Sequence, residues 1–223
     1  MKYRHELKHE INLLDKMMLQ NRLNAIMKSD QHCIDGKYKI RSLYFDDIND
    51  KALREKINGV NEREKFRIRY YNGDFSFISL EKKSKKNNLC NKVSCYITYE
   101  ETQKIIIGDI EWMKTSDRVL VRELYAKMTS GTLKPKTIVD YTRIPFVYGP
   151  GNVRVTIDYD IRTALTCKDF LNWNSITFPS GLSPIILEVK WDEFLPDIIR
   201  DACNLKGRRE SAFSKYAACR IYG

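Results

Sequence analysis

Along this chain, short runs in which apolar and polar residues alternate are interleaved with longer runs whose apolar residues recur every three or four positions, the periods of half-buried strands and of amphipathic helices. Tyr3 to Ile11 alternates and reads as a strand carrying Arg4, Glu6, Lys8 and Glu10 on one face. Asn12 then caps a helix to about Lys28, with Leu14, Met17, Met18, Leu23 and Ile26 on its apolar side. Tyr38 to Phe45 is the next strand, followed by a short helix over Asp50 to Ile57 that Asn58-Gly59 stops. After a hairpin spanning Lys65 to Lys83, Ser84 to Asn91 reads as a polar turn and Lys92 to Thr98 as a strand. Helices are expected over Glu100 to Ile107 and Asp117 to Met128, a strand pair over Pro135 to Tyr148 and Val153 to Ile161, and a last strand over Ser183 to Trp191. Helices follow over Pro196 to Asn204 and Ser211 to Tyr222, and Lys168 to Pro184, rich in Asn, Ser and Pro, reads as a long surface loop or lid. Seven or eight largely antiparallel strands with helices inserted between them place the chain in the α+β class.

The hairpin carries the most informative pattern. Its first run places Lys65, Arg67 and Arg69 on one face and Phe66, Ile68 and Tyr70 on the other. Arginines two apart on a strand stand about 6 to 7 Å from each other, and at an effective dielectric near 20 they repel by about 2 to 3 kcal/mol. An anion is expected to offset that repulsion. Asn72-Gly73 favours a two-residue turn, but that register sets Arg67 opposite Ile78 and throws Glu81 and Lys83 onto the other face. Gathering these charges on one face needs an odd loop such as Asn72-Gly73-Asp74, with Arg67 opposite Ser79, or a bulge in the second strand. Glu6 with Lys8, Arg154 with Asp158 around Thr156, and Glu188 with Lys190 repeat the arrangement elsewhere. On one strand this is the wet face of a half-covered sheet. Recurring on most strands beneath inserted helices, it describes the polar interior of a small barrel.

The 223 residues, 43% hydrophobic and 30% charged, suffice for one domain over residues 1–223, and a net charge of +10 calls for an anionic partner. No apolar run approaches the roughly 18 residues of a membrane span, and Met1 to Glu10 is charged throughout, unlike a signal peptide. A cytoplasmic protein is therefore expected. The cysteines Cys33, Cys90, Cys95, Cys167, Cys203 and Cys219 lack Cys-x-x-Cys spacing and read as reduced thiols. Nucleic acid is disfavoured as the anion, because acids share the cationic faces and the aromatics are not clustered on one strand as a stacking platform. Trp112 and Trp191 are expected in the core, while Trp173, in the long loop, either packs or touches a base. Lys206-Gly207-Arg208-Arg209 reads as a solvated basic loop, or as a guide for an anion at a tunnel mouth. Gly149-Pro150-Gly151 is a turn and not a phosphate loop, since no Lys-Ser or Lys-Thr follows. His5-Glu6-Leu7-Lys8-His9 matches the zinc-protease signature, but that chemistry needs the five residues in a helix, and the alternation around them argues for a strand.

Taken in order, several short motifs resemble one family. They are Arg4-His5-Glu6-Leu7-Lys8, Ser42-Leu43-Tyr44-Phe45-Asp46, Lys65-Phe66-Arg67-Ile68-Arg69-Tyr70-Tyr71, Leu80-Glu81-Lys82-Lys83, Val139-Asp140-Tyr141-Thr142-Arg143, Val153-Arg154-Val155-Thr156-Ile157-Asp158, Leu187-Glu188-Val189-Lys190 and Phe213-Ser214-Lys215-Tyr216. Together they resemble the catalytic domain of the vacuolar transporter chaperone complex, a polyphosphate polymerase of the triphosphate tunnel metalloenzyme (CYTH-like) superfamily. The resemblance implies a closed antiparallel eight-stranded β-barrel with helices packed outside, and a basic tunnel that binds triphosphate and polyphosphate with Mn²⁺ or Mg²⁺. By position it makes Lys8, Arg67, Arg69, Lys83, Arg143, Arg154, Lys190 and Lys215 phosphate ligands, with Lys92 and Ser214 as further candidates. Glu188 becomes the principal metal carboxylate, with Glu6, Glu81 and Asp158 as weaker candidates, and Arg67, Arg69, Lys83 and Glu188 the catalytic set. The chain resembles a stand-alone bacterial catalytic domain, without the phosphate-sensing domain and membrane helices of the eukaryotic arrangement.

Phosphoryl transfer asks the protein for positioning and charge neutralisation, which these residue types supply. The resemblance thus implies transfer of the γ-phosphoryl of ATP to a growing polyphosphate chain. The alternatives are a triphosphatase acting on inorganic triphosphate, pyrophosphate or a nucleotide, and a non-enzymatic binder of polyphosphate or nucleic acid.

Overall fold

The computed structural model describes residues 4–87, 89–130, 133–205 and 207–221. In chain order its elements are β1 (His5–Ile11), α1 (Leu13–Ile26), β2 (Lys28–Ser29), β3 (Tyr38–Asp46), α2 (Lys51–Ile57), β4 (Arg63–Tyr71), β5 (Asp74–Lys86) and β6 (Leu89–Ile97). Then come α3 (Tyr99–Ile107), α4 (Val119–Ser130), β7 (Lys134–Tyr148), β8 (Val153–Ala164), β9 (Thr177–Pro179), β10 (Ile185–Trp191), α5 (Asp197–Cys203) and α6 (Lys215–Ile221). The α+β class and most elements stand as expected. The start of the first strand at Tyr3, the end of the last helix at Tyr222, and Lys206 lie outside the described residues.

All ten strands share one sheet, with the eight longer ones in the order β1-β10-β8-β7-β3-β4-β5-β6 and every neighbour antiparallel. The sheet curls into a half-barrel, not the closed barrel that was expected. Its edge strands β1 and β6 come together at one isolated bridge, where Arg4 and Cys90 exchange backbone hydrogen bonds of 3.2 and 3.4 Å. No ladder continues from there between the two edges among the described residues.

Alternation decides which residues line the curl. On the convex side, Leu43, Phe45, Phe66, Ile68, Leu80 and Ile138 pack under Ile105 of α3 and Leu120, Val121 and Leu124 of α4. Leu19 and Leu23 of α1 and Ile199 of α5 cover Ile144, Phe146, Val155, Ile157, Leu187 and Val189. Each such buried aliphatic side chain contributes about 1.5 to 3 kcal/mol, so the helices hold the curvature from outside. On the concave side, Tyr216 and Cys219 of α6 pack onto Tyr44, Val139, Tyr141 and Ile186.

Three expectations are corrected. Asn12 does cap α1, in a capping box with Asp15, but Leu14, Met17 and Met18 are exposed. The buried face is Asp15, Leu19 and Leu23, and Asp15 is tied to Arg208 at 2.6 Å, so an ion pair sets the rotation of the helix. The expected turn over Ser84 to Asn91 is mostly ladder, because Lys83 pairs with Lys92 and Lys86 with Leu89, leaving the reversal at 87–88. The expected lid over Lys168 to Pro184 is a strap on the convex side. There Phe170 is fully buried, β9 pairs with β8, and the Arg41 guanidinium donates to the Asn172 carbonyl at 2.5 Å and the Ser175 hydroxyl at 3.2 Å. Trp173 belongs to this packing, against Tyr70 and over Gly73.

Candidate functional site

The hairpin that organises the site has the two-residue turn, with Asn72 and Gly73 both left-handed (φ 52° and 73°). The ladder next to it slips. Tyr71 pairs with Asp74, but Arg69 pairs with Ser79, Arg67 with Glu81 and Lys65 with Lys83. Of the two expected devices the structure uses the bulge in the second strand, and its larger slip sets Arg69, not Arg67, opposite Ser79. Arg67, Arg69, Glu81, Lys83 and Lys92 thereby share the concave face.

Across that face the strands of the opposite wall contribute both signs. The Lys8 ammonium lies 2.9 Å from Glu6 and 3.4 Å from Glu188, and the Lys190 ammonium 2.6 Å from Glu188 and 3.6 Å from Glu6. Arg143 donates twice to Asp158, at 2.7 Å each, and reaches Glu188 at 3.5 Å, while Lys215 closes on Asp158 at 2.6 Å. Lys83 crosses the half-barrel to Glu6 at 3.0 Å, and Lys92 reaches Glu81 at 3.1 Å. Arg154 stands apart from this web, held by Asp30 at 2.8 Å and the Tyr38 hydroxyl at 2.6 Å. Ser214 has a local role: its hydroxyl accepts from the Ala217 amide at 3.3 Å at the start of α6.

Burial pushes every one of these carboxyls up, and the cations overcome it. Against burial and the Glu188 charge, Lys8, Lys83 and Lys190 hold Glu6 well below the usual carboxylate range. Arg67, Arg69 and Lys92 do the same for Glu81, and Arg143 with Lys215 for Asp158. Glu188 is shared by Lys190, Lys8, Arg143 and Lys215 and is likewise held well below the usual carboxylate range. With its partner so heavily neutralised, the buried Lys190 is pushed down to about 8 by desolvation and by the Lys83 and Arg143 charges, despite Glu188 and Glu6.

The β4 wall is different. Arg67 is bound to Glu81 at 2.6 Å and to the Tyr44 hydroxyl at 2.9 Å. Arg69, one position further, is buried on hydroxyls alone, donating to Ser42 at 2.9 Å and Tyr141 at 3.0 Å. Lys65 sits over the Tyr216 ring, 4.7 Å from its centroid. Burial pushes it down to about 8, with Lys56 and Arg63 adding to the shift and Tyr44 and Asp46 opposing it. Burial raises Tyr44, but Arg67, Arg69 and Lys65 bring its phenol down to about 8. Cations this poor in counter-charge make the β4 wall the candidate site for an anion.

Sequence reasoning missed Ser42, Tyr44, Lys65 and Tyr141 as site residues, although all four lie inside the motifs that carried the resemblance. Their signal was alternation, since Ser42 and Tyr44 share the inward phase of β3 and lie opposite Arg69 and Arg67. The protease reading fails on the same ground. β1 is a strand whose Glu6 and Lys8 face inward while His5 stacks on Trp191, ring centroids 5.3 Å apart, on the other side.

A family model of the VTC domain matches residues 3–221. The chain belongs to the VTC domain family. Among solved structures, a candidate adenylyl cyclase from Hippeastrum with a dominant triphosphatase activity is 14% identical, with a TM-score of 0.59, covering 99% of this chain and 96% of its own. A candidate adenylate cyclase from Bacillus halodurans is 12% identical, with a TM-score of 0.52, covering 85% and 80%. At these identities the likeness shows the fold, that of the CYTH-like triphosphate tunnel proteins. No curated protein matches the sequence. This VTC domain has no helix among its described residues long and apolar enough to cross a membrane.

Among the described residues no three acid, histidine or cysteine side chains converge on one point, so protein ligands alone do not build a metal cage. Glu6 and Glu188 nevertheless share both Lys8 and Lys190, and two ionised carboxylates around a cationic position suit Mg²⁺ or Mn²⁺ completed by phosphate oxygens and water. Glu81 and Asp158 fit less well, being closed by Arg67 and by the two-pronged Arg143.

Proposed function

We propose that this VTC domain is an ATP-dependent polyphosphate polymerase, transferring the γ-phosphoryl of ATP to the end of a growing polyphosphate chain and releasing ADP. The observation that carries the reading is the concave β4 wall, where Glu81 is bound to Arg67 and Arg69 and Lys65 touch hydroxyls and a ring with no contact ion pair among the described residues, while the facing wall is balanced by acids. A triphosphate on this wall takes charge-assisted bonds worth about 1.5 to 3 kcal/mol each from Arg67, Arg69, Lys65 and the neighbouring Lys83, with Lys8 and Lys190 reaching from the opposite side. Glu188, with Glu6, would hold the divalent ion, which supplies Lewis acidity toward the phosphate oxygens.

The same electrostatics favour a phosphate over water as acceptor. A terminal phosphate is already anionic near neutral pH, whereas water needs a base titrating near the working pH. Glu6, Glu81, Glu188 and Asp158 are all held far below that, so the base for hydrolysis would fall to Tyr44, Lys65 or Lys190, each near 8. A triphosphatase remains the second reading, supported by the activity of the Hippeastrum protein that shares the fold. Incubation with ATP and Mn²⁺ followed by gel electrophoresis separates the two: long anionic chains support the polymerase, and orthophosphate as the sole product overturns it.

A further inference from the structure

The concave face of β4, β5 and β6 changes character along the strands. Starting from Lys65 opposite Lys83, it passes through Arg67 with Glu81 and Arg69 with Ser79. The next inward position on β5, toward the turn, is Phe77. Its ring meets that of Tyr96 on β6 at a centroid distance of 6.2 Å and an interplanar angle of 38°. Tyr96 is the cross-strand partner of Ser79, so Tyr96, Ser79 and Arg69 form one row over three strands. Phe77 and Tyr96 are 59% and 46% exposed, whereas Tyr70 of the same hairpin is fully buried in the convex core and Phe75 packs against it. The ladder slip is what turns Phe77 inward, and no apolar cluster covers it there.

We infer that Phe77 and Tyr96 form a stacking platform for the purine base of a nucleoside triphosphate whose phosphates lie along Arg69 and Arg67. This rests on the triphosphate reading of the same wall. Strand spacing puts the Tyr96 backbone about 10 Å from that of Arg69, and Phe77 lies about 7 Å along the strand from Ser79, a gap suited to a ribose and its first phosphate. The other end of the wall, where Lys65, Lys83, Arg63 and Lys85 face each other in two successive cross-strand pairs, repels itself and suits the phosphate tail. The nucleotide is therefore oriented base toward the Asn72-Gly73 turn, with its γ-phosphate toward the lysines.

Titration calorimetry with ATP and with inorganic triphosphate, each at the same Mg²⁺ concentration, tests this. Phe77→Ala and Tyr96→Ala should each raise the Kd for ATP by about 5- to 100-fold, the range for loss of one base–aromatic stack, and leave triphosphate affinity within about twofold. Phe77→Trp should keep ATP binding. Unchanged ATP affinity in both alanine variants, or equal weakening of the two ligands, would overturn the platform. Equal affinity of the wild type for ATP and triphosphate would also overturn it while leaving the triphosphate site standing, and binding of neither ligand would overturn both.

Discussion

Two walls of the half-barrel face each other with similar numbers of cations and different numbers of acids. On β1, β8 and β10, Lys8 and Lys190 share Glu6 and Glu188, and Asp158 takes Arg143 and Lys215. On β4, Arg67 has Glu81, but its neighbours Arg69 and Lys65 rest on hydroxyls and a ring. Buried ions that are matched hold a structure in one arrangement, and removing one partner leaves a stranded charge. Cations without carboxylates store unfavourable energy until an anion arrives. On the proposed function, the first wall serves the fold and a metal, and the second the phosphates.

The largest effect that would break this division lies on the matched wall. Asp158→Asn strips Arg143 and Lys215 of their common carboxylate, and a loss of about 3 to 5 kcal/mol in urea unfolding is expected, as for other broken buried pairs. An unchanged midpoint would mean the acids there are not structural.

Arg69→Met should act mainly on binding. With no contact ion pair to break and Glu81 still bound by Arg67 and Lys92, the loss of folding stability should be about 1 to 3 kcal/mol, that of two buried hydrogen bonds, below that of Asp158→Asn, while triphosphate affinity falls by about 10- to 150-fold for one lost charge-assisted contact. A variant that lost stability but kept affinity would reverse the assignment of the walls.

A smaller effect comes from pH. In the free protein Lys65 and Lys190 lose their protons through about 8, and a bound polyanion restores them. Triphosphate affinity should then decline above pH 8, by up to about tenfold per pH unit for each lysine that must recover its proton, with proton uptake visible by calorimetry in different buffers. For folding the sign is opposite. Both lysines bind fewer protons folded than unfolded between about 8 and the ordinary 10.5, so their contribution to stability rises with pH across that window. Affinity flat from pH 7 to 9.5 would remove these lysines from the site. Smallest of all, Ser214→Ala should cost about 0.5 to 1 kcal/mol as a lost helix cap and leave triphosphate affinity unchanged.

Much of this was legible in the sequence because alternation is a strong signal when one strand face is charged. Arg67 and Arg69 declared a strand with its cations on one face, and Glu188 with Lys190 declared the charged face of the wall opposite. What stayed hidden depended on pairing across distance. Asn72-Gly73 announced its turn, but the slip that brings Glu81 opposite Arg67 lies in Phe75 to Ile78, where aromatic residues satisfy either face. Closure of the barrel was expected from the recurring charged strand faces and the resemblance, whereas it depends on how far β1 and β6 pair, which is a single bridge at Arg4 and Cys90 among the described residues. The inner hydroxyls of Ser42, Tyr44 and Tyr141 read as ordinary strand residues until the arginines they hold were in place. On α1 the apolar pattern pointed at Leu14, Met17 and Met18 beside Leu23, whereas the structure buries Leu19 and Leu23 together with Asp15, which pairs with Arg208, 193 residues away.

The central claim is tested most directly by titrating inorganic triphosphate into the wild type and into an Arg67→Met/Arg69→Met double variant, with urea unfolding as a check on the fold. The account predicts saturable binding of one triphosphate per chain to the wild type, a higher urea midpoint in its presence, and loss of both in the folded double variant. Saturable binding that survives the double substitution, or none to the wild type, would contradict it.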